Sequence, residues 1–237
     1  MSFHVIYEDL GVKDYKETWD YQESVFQSII DVKTGKSHDG ETESPVSNRL
    51  IFVEHPHVYT LGKSGSENNL LLNYIQLQAA AASFYKTNRG GDITYHGPGQ
   101  IVGYPIFNLE NLKLGIREYI YKLEEAIILT LKEYDIQGER SDGATGVWLD
   151  TGIPAKSRKI CAIGVRASRY VTMHGFALNV NTDLEYFNHI NPCGYTDRGV
   201  TSIQNELGEK INFEEAKRIT KQSIEKVFNI NWVNEVT

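Results

Sequence analysis

Apolar side chains recur at helical spacing in three segments of the chain. The first segment starts with Asp14 and Glu17, which are spaced as in a capping box. The second runs from about 115 to 134, and the third begins at Asn212 with Glu215 as its capping partner. The sequence therefore predicts three long helices. Their apolar faces contain Tyr15, Trp19, Phe26, Ile29 and Ile30; Ile116, Ile120, Leu123, Ile127, Leu131 and Tyr134; and Phe213, Ala216, Ile219, Ile224 and Val227.

Between these helices, short runs of apolar and β-branched residues predict strands. The runs are 50–54, 58–61, 101–109, 147–150, 159–167 and 170–180. Because proline cannot donate to a strand ladder, Pro105 predicts an edge or a bulge. The step from Ser168 to Arg169 predicts a tight hairpin, and residues 36–48 predict an exposed loop.

The order of these elements indicates the fold class. Strands cluster between helices and do not alternate with them one to one, which favours an α+β fold over a doubly wound parallel sheet. We therefore expect a mixed β-sheet with packed helices. No linker rich in proline, glycine or serine divides the chain, so residues 1–237 are predicted to form a single domain.

Composition and charge exclude several classes of protein. The 237 residues are 41% hydrophobic and 23% charged, as in ordinary globular proteins, and the net charge of −7 disfavours non-specific binding to nucleic acid. The apolar runs are too short to cross a membrane, and no signal or transit peptide is recognisable, so we expect a cytoplasmic protein. Two cysteines are too few for a disulfide framework or a thiolate metal site.

A glycine-rich stretch, Arg-Gly-Gly-Asp-Ile-Thr-Tyr-His-Gly-Pro-Gly-Gln at 89–100, is the densest cluster of candidate chemistry. Its glycines permit close approach of the backbone to a ligand or positive φ angles. A tight turn between strands, with His96 as a hydrogen-bonded core residue, is the alternative. The stretch lacks the ending of a phosphate loop and the glycine spacing of a dinucleotide fingerprint.

Two predicted strands carry further candidate residues. In the run 158–164, strand alternation places Lys159 and Cys161 on one face, and Ala162 and Gly164 on the other. Lys159 is either a desolvated base or a surface lysine. In the run 174–181, Gly175 leaves space for another backbone or for a slender ligand.

The two cysteines differ in their surroundings. Cys193 lies in a turn between Pro192 and Gly194, where reactive thiols are found, whereas Cys161 lies in an apolar strand typical of inert thiols. A structural role for Cys193, or a disulfide between the two, stays open. His55 and His57 are spaced as a possible metal pair, but no third ligand stands at a suggestive spacing, so no metal is expected.

Taken together, these stretches resemble the lipoyl(octanoyl) transferase family. The segment at 89–100 resembles its signature closely, and Lys-Ile-Cys-Ala-Ile-Gly at 159–164, His-Gly-Phe-Ala-Leu-Asn-Val-Asn at 174–181 and Ile-Asn-Pro-Cys-Gly at 190–194 follow in the same order. The resemblance covers roughly residues 50–205. It implies a fold like the catalytic domain of biotin and lipoate protein ligases.

The resemblance also implies an activity and its residues. Members transfer an octanoyl or lipoyl group from acyl carrier protein to a lysine of a lipoyl carrier domain, without a cofactor. The acceptors are 2-oxoacid dehydrogenases and the H protein of glycine cleavage. By resemblance, Cys193 forms a thioester and Lys159 assists it. The implied substrate contacts are Arg89, Gly90, Gly91, Asp92, Ile93, Thr94, Tyr95, His96, Ala162, Ile163, Gly164, Gly175, Phe176 and Ala177.

Other readings of the sequence stay open. The chain has Thr145-Gly146 where the family pattern has Pro-Gly, which affects only local loop geometry. An ATP-dependent lipoate–protein ligase shares the implied fold, and a non-enzymatic acyl-carrier-binding module is a second alternative.

Because this chain is acidic, docking of acidic carriers needs a local basic patch, for which Arg158, Arg166 and Arg169 are candidates.

Overall fold

A computed structural model describes residues 3–36, 48–191 and 199–233. The strands are β1 (Phe3–Val12), β2 (Asn48–Glu54), β3 (Val58–Leu61), β4 (Ser83–Lys86), β5 (Ile93–His96), β6 (Gln100–Ile106), β7 (Glu139–Ser141), β8 (Ala144–Leu149), β9 (Arg158–Ser168), β10 (Val171–Asn179), β11 (Gly199–Val200) and β12 (Ile230–Val233). The helices are α1 (Tyr15–Lys33), α2 (Tyr74–Ala79), α3 (Leu109–Leu112), α4 (Ile116–Lys132), α5 (Ile203–Leu207) and α6 (Phe213–Phe228).

A large mixed sheet organises the fold. Its strands follow the order β12-β1-β2-β6-β10-β9-β8-β7, and β11 adds to β9. Helix α1 packs on one face through β10 and β6, whereas α4 and α6 pack together, with α4 also contacting β8 and β9. A second, smaller sheet has the order β4-β3-β5. The predicted α+β class, with helices packed on a mixed sheet, is confirmed.

The predicted order of elements is wrong at both ends of the chain. The chain begins with β1 and not with a helix, and it continues after α6 into β12. These two strands pair in parallel, with Phe3 opposite Ile230. Pairing between residues so far apart in sequence leaves no local pattern, which is why the sequence did not show it. Most of the predicted loop at 36–48 lies outside the described residues.

The predicted helix starts and the hairpin are found in the structure. Asp14 accepts hydrogen bonds from the backbone N–H groups of Lys16 and Glu17, and Asn212 accepts one from Glu215. The hairpin between β9 and β10 turns at Arg169 and Tyr170, one residue later than predicted. Both have positive φ, 50° and 63°, as a two-residue turn of type I′ requires.

The predicted edge position of Pro105 is wrong. Pro105 lies in β6, an inner strand, and pairs with Leu50 of β2. On its other side, the ladder between β6 and β10 ends where Gly103 pairs with Phe176. Pro105 therefore lies beyond the regular ladder, where its missing N–H costs no bond of that ladder. Its carbonyl accepts a hydrogen bond from the Thr172 hydroxyl at 2.9 Å.

The helices have lengths and compositions typical of a globular protein. Within the three described ranges, none combines the length and apolar character that crossing a membrane requires.

Candidate active site

A cavity of about 370 Å³ lies where β9, β10 and β6 meet the segment that leads into β5. Helix α1 and strand β8 complete its wall. Most of the residues that the sequence assigned to the site line this cavity. They are Arg89, Gly91, Asp92, Ile93, Thr94, His96, Lys159, Ala162, Ile163, Gly164, Gly175, Phe176 and Ala177.

Two predicted contact residues, Gly90 and Tyr95, are not among the residues that line the cavity. Tyr95 is fully buried in the core beneath the small sheet, where its hydroxyl shares a 2.7 Å hydrogen bond with His57 Nδ1. Gly90 donates its backbone N–H to the carbonyl of Val165 at 2.9 Å. These two residues therefore hold the glycine-rich segment in place.

A bulge in β9 determines where Lys159 points. Opposite this strand, Val147 pairs with Cys161 and Trp148 pairs with Lys159, so β9 carries one extra residue, Ile160. Lys159 consequently lines the cavity, while Cys161 joins the core on the other side of the sheet. The predicted shared face of Lys159 and Cys161 is therefore wrong, because simple alternation does not account for the bulge.

The two cysteines are in different situations. Cys161 is fully buried, and burial raises the pKa of its thiol well above the usual range, as expected of an inert thiol. Cys193 lies outside the described residues. The nearest cavity-lining residues on its two sides are Ile190 and Gly199.

The Arg89 side chain is buried against Gly164. It donates to the carbonyl oxygen of Thr60 at 2.6 Å and to the Thr60 hydroxyl at 3.0 Å. A Cβ at position 164 would lie 2.9 Å from the carbonyl oxygen of Gly90 and 3.2 Å from Arg89 Cδ. Position 164 therefore needs glycine so that the Arg89 segment can close over the sheet.

A similar close approach occurs at Gly175. A Cβ there would lie 2.1 Å from the carbonyl oxygen of Gly103, on the neighbouring strand β6. The sequence left two explanations for glycine at position 175, another backbone or a slender ligand. The structure shows that a neighbouring backbone occupies the space where a side chain would be. Its backbone still contributes to the cavity wall.

Two neutral histidines, His96 and His174, line the cavity. His96 shares a 2.8 Å hydrogen bond with Gln100 Oε1, and His174 shares one of 2.7 Å with Asn88 Oδ1. Burial lowers the pKa of each imidazole to about 3, so both rings are neutral at pH 7. His96 is thus both a hydrogen-bonded buried residue and part of the cavity wall.

His55 belongs to the same buried region. Its ring nitrogens contact the Lys13 carbonyl at 2.7 Å and the Tyr104 hydroxyl at 2.8 Å, and burial lowers its pKa to about 4. His57 instead stacks on Tyr186 at 4.1 Å. Among the described residues, no group of three histidine, cysteine, aspartate or glutamate side chains is arranged to hold a metal ion.

Several residues of the cavity wall were not predicted from the sequence. Tyr15 stacks on His96 at 6.0 Å, although the sequence indicated only that it belongs to the apolar face of α1. Gln100 donates to Asn179 Oδ1 at 2.8 Å, and both residues were within quoted motifs. No sequence signal singled out Trp148, whose ring centre lies 4.5 Å from Lys159 Nζ. Val102, Tyr104, Ala144, Thr145, Phe187 and Val200 also line the cavity.

The arginines of the expected basic patch are mostly paired with acidic side chains. Arg158 forms ion pairs with Asp150 and Glu206, and Arg166 pairs with Glu23 at 2.8 Å. Arg169 is exposed at the hairpin turn. Acidic neighbours therefore offset the charge of two of the three candidate arginines, and a docking role for this patch stays a prediction.

Comparison with known proteins places this site in a family. The lipoyl protein ligase A/B catalytic domain family matches residues 14–225. The chain is 58% identical to an octanoyltransferase of Christiangramia forsetii, over 96% of this chain and 97% of that protein. It is 61% identical to an octanoyltransferase of Flavobacterium johnsoniae, over 92% and 93% of the two chains.

The fold has a counterpart among solved structures. The bipartite lipoate protein ligase of Thermoplasma acidophilum superposes with a TM-score of 0.66 at 12% identity, covering 99% of this chain and 86% of that chain. This likeness confirms the predicted fold. The family resemblance and the acyltransferase class that the sequence indicated are also confirmed. The chain belongs to the lipoyl protein ligase A/B catalytic domain family and, within it, to the octanoyltransferases.

Proposed function

We propose that this chain transfers an octanoyl group from acyl carrier protein to a lysine of a lipoyl carrier domain, through a thioester on Cys193. One observation carries the proposal: Lys159 and the predicted acyl-contact segments line one cavity. Cys193 follows the cavity-lining Ile190 by three residues in the sequence, and we assign it as the nucleophile on the family resemblance.

In the first half-reaction, the thiolate of Cys193 attacks the thioester carbonyl of the donor. A bond forms between Cys193 Sγ and the acyl carbon, and the bond from that carbon to the carrier sulfur breaks. Lys159, as an ammonium, gives its proton to the departing carrier thiolate. One thioester replaces another, so the step needs no ATP.

In the second half-reaction, the neutral amine of the acceptor lysine attacks the Cys193 thioester. An amide bond forms, Cys193 departs as a thiolate, and Lys159 takes the proton that the amine loses. The thiolate and the ammonium are thereby restored for the next cycle. Arginine at position 159 cannot perform this step, because a guanidinium stays protonated.

The acyl chain binds in the cavity beside Ala162 and Ala177. Both side chains are small and apolar, and both line the wall. Each buried methylene contributes about 0.8 kcal/mol, so the six methylenes of an octanoyl tail contribute roughly 5 kcal/mol. Binding of the tail therefore holds the carbonyl near Lys159.

The acceptors that we propose are the lipoyl domains of 2-oxoacid dehydrogenases and the H protein of glycine cleavage. The family match supports acceptors of this kind. The Thermoplasma acidophilum ligase was solved as part of a lipoylation system with its E2 lipoyl domain. We place the reaction in the cytoplasm, where glutathione and thioredoxin keep a free thiol reduced.

Intact-mass measurement after incubation with octanoyl-acyl carrier protein tests the proposal. One octanoyl group should add to the wild-type chain without ATP, and Cys193→Ala should abolish the adduct. Cys161→Ala is the matched control and should retain it, because Cys161 is buried away from the cavity. An adduct that persists in Cys193→Ala, or that forms only with ATP, contradicts the thioester route.

A further inference from the structure

Trp148 lines the cavity wall, and its indole ring faces the proposed catalytic lysine. The two residues are direct partners across β8 and β9. Lys159 Nζ lies 4.5 Å from the ring centre, within the range of a cation–π contact. Both side chains line the cavity. The ring therefore contacts the atom that, in the proposed mechanism, gives and takes the proton.

The indole ring is held in a fixed orientation. Trp148 is only 3% exposed, and its Nε1–H donates to the carbonyl of Ala144 at 2.9 Å. That bond fixes the rotation of the ring about its side chain. A desolvated cation–π contact is also stronger than an exposed one. The face presented to Lys159 is therefore a permanent feature of the cavity wall.

Gly146 lies under the side chain of Lys159, where its backbone conformation and the nearby Cys161 carbonyl require glycine. It has a φ of 121°, and a Cβ there would lie 2.5 Å from the Cys161 carbonyl oxygen. The same Cβ would lie 3.5 Å from Lys159 Cε, so the lysine chain passes directly over the glycine. Gly146 donates its N–H to Glu124 Oε1 at 3.0 Å, which holds this part of β8 in place.

We propose that the Trp148 indole acts as a positioning group that holds Lys159 in its protonated form, facing the cavity. This inference rests on the proposed function. In that mechanism, Lys159 starts and ends each cycle as an ammonium and is neutral only between the two half-reactions. The negative face of the indole favours the ammonium, so it favours the thiolate–ammonium pair over the neutral pair.

Among the described residues, charged side chains around this pair are engaged with one another. Glu124 of α4 is bound by Arg140 of β7 at 3.2 Å as well as by Gly146. Arg158, next to Lys159 on β9, pairs with Asp150 and with Glu206 of α5. The Cys161 thiol on the far face is protonated at neutral pH, because burial raises its pKa.

The proposal predicts a specific change in the pH profile of Cys193 acylation. On the acidic limb of the profile, the Cys193 thiol loses its proton while Lys159 stays an ammonium. Weakening the cation–π contact therefore leaves the acidic limb in place. Loss of the ammonium proton sets the alkaline limb, which should move to lower pH. Removing the contact should shift that limb by on the order of one pH unit.

Fluorinated tryptophans provide the test, because they weaken the negative face of the ring with little change in its shape. Mono-, di- and trifluorotryptophan are incorporated at position 148, and single-turnover acylation by octanoyl-acyl carrier protein is followed against pH. The matched control places the same residues at position 232. Trp232 contacts Lys221 at 4.7 Å and does not line the cavity.

Stepwise movement of the alkaline limb with each added fluorine at position 148, and none at 232, supports the inference. Unchanged limbs at position 148, or equal movement of both limbs, overturn it. If no acyl group reaches Cys193 in the wild-type chain, the proposed function fails and this inference falls with it. If the adduct forms but fluorination leaves the pH profile of acylation unchanged, only the proposed role of Trp148 is refuted.

Discussion

Three glycine-to-alanine substitutions test whether the cavity is built by close backbone approach. Gly152→Ala is the control, because nothing lies within 4 Å of a Cβ there. At Gly164 the new Cβ would lie 2.9 Å from the Gly90 carbonyl oxygen, and at Gly175 it would lie 2.1 Å from that of Gly103. None of the three glycines has a positive φ, so steric contact alone should separate the variants.

The expected sizes follow from these distances. Alanine in place of glycine stabilises a compatible site by about 0.4–1 kcal/mol through the unfolded state, which is the result expected for Gly152→Ala. Overpacking costs about 1–3 kcal/mol, so Gly164→Ala should lower the free energy of unfolding by a net roughly 1–2 kcal/mol. That loss corresponds to a decrease in Tm of about 2–8 °C for a chain of this size. Gly175→Ala should lose more, because its contact is shorter and involves two neighbouring strands.

Thermal unfolding of the three variants, followed by circular dichroism, gives the ranking. Acylation of Cys193 by the octanoyl donor is then measured on each variant that folds. Gly164→Ala should acylate more slowly than Gly152→Ala, because the Arg89 segment must move away from the sheet. A Gly175→Ala variant as stable as Gly152→Ala would refute the close packing of β10 on β6.

Three further outcomes are expected. Ala177→Leu should shift donor preference towards chains shorter than octanoyl, or abolish binding, through overpacking of about 1–3 kcal/mol, as measured by acylation rates across a series of chain lengths. Lys159→Arg should lose transfer to the acceptor lysine while retaining some Cys193 acylation, and Lys159→Ala should lose both, as single-turnover assays of each half-reaction will show. Burial lowers the pKa of His55 to about 4, and that of His96 and His174 to about 3. These folded-state pKa values lie below the unfolded value of about 6.5, so the three rings do not reduce the free energy of unfolding above pH 6.5. On acidification below that pH, the free energy of unfolding falls by up to about 1.4 kcal/mol per pH unit for each ring. Urea unfolding at pH 7, 6 and 5 measures this slope, and His55→Gln should reduce it by the share of one histidine.

Local signals in the sequence were sufficient for much of the fold. The caps at Asp14 and Asn212 and the apolar periodicity predicted the long helices, because helix initiation depends on groups within one turn. The runs that correspond to β2, β3, β6, β8, β9 and β10 were also predicted. The short strands β4, β5, β7 and β11 were not, and neither were β1 and β12, since each of these last two is stabilised by a partner from the other end of the chain.

The order of the motifs was enough to identify the family, and the apolar surroundings of Cys161 marked it as the inert thiol. The direction in which these side chains point could be read only from the folded chain. The extra residue Ile160 turns Lys159 into the cavity and towards Trp148, and Gly164 admits Arg89 against the sheet. Such contacts depend on strand register and on the distance between backbones, and both are set by residues far apart in the chain.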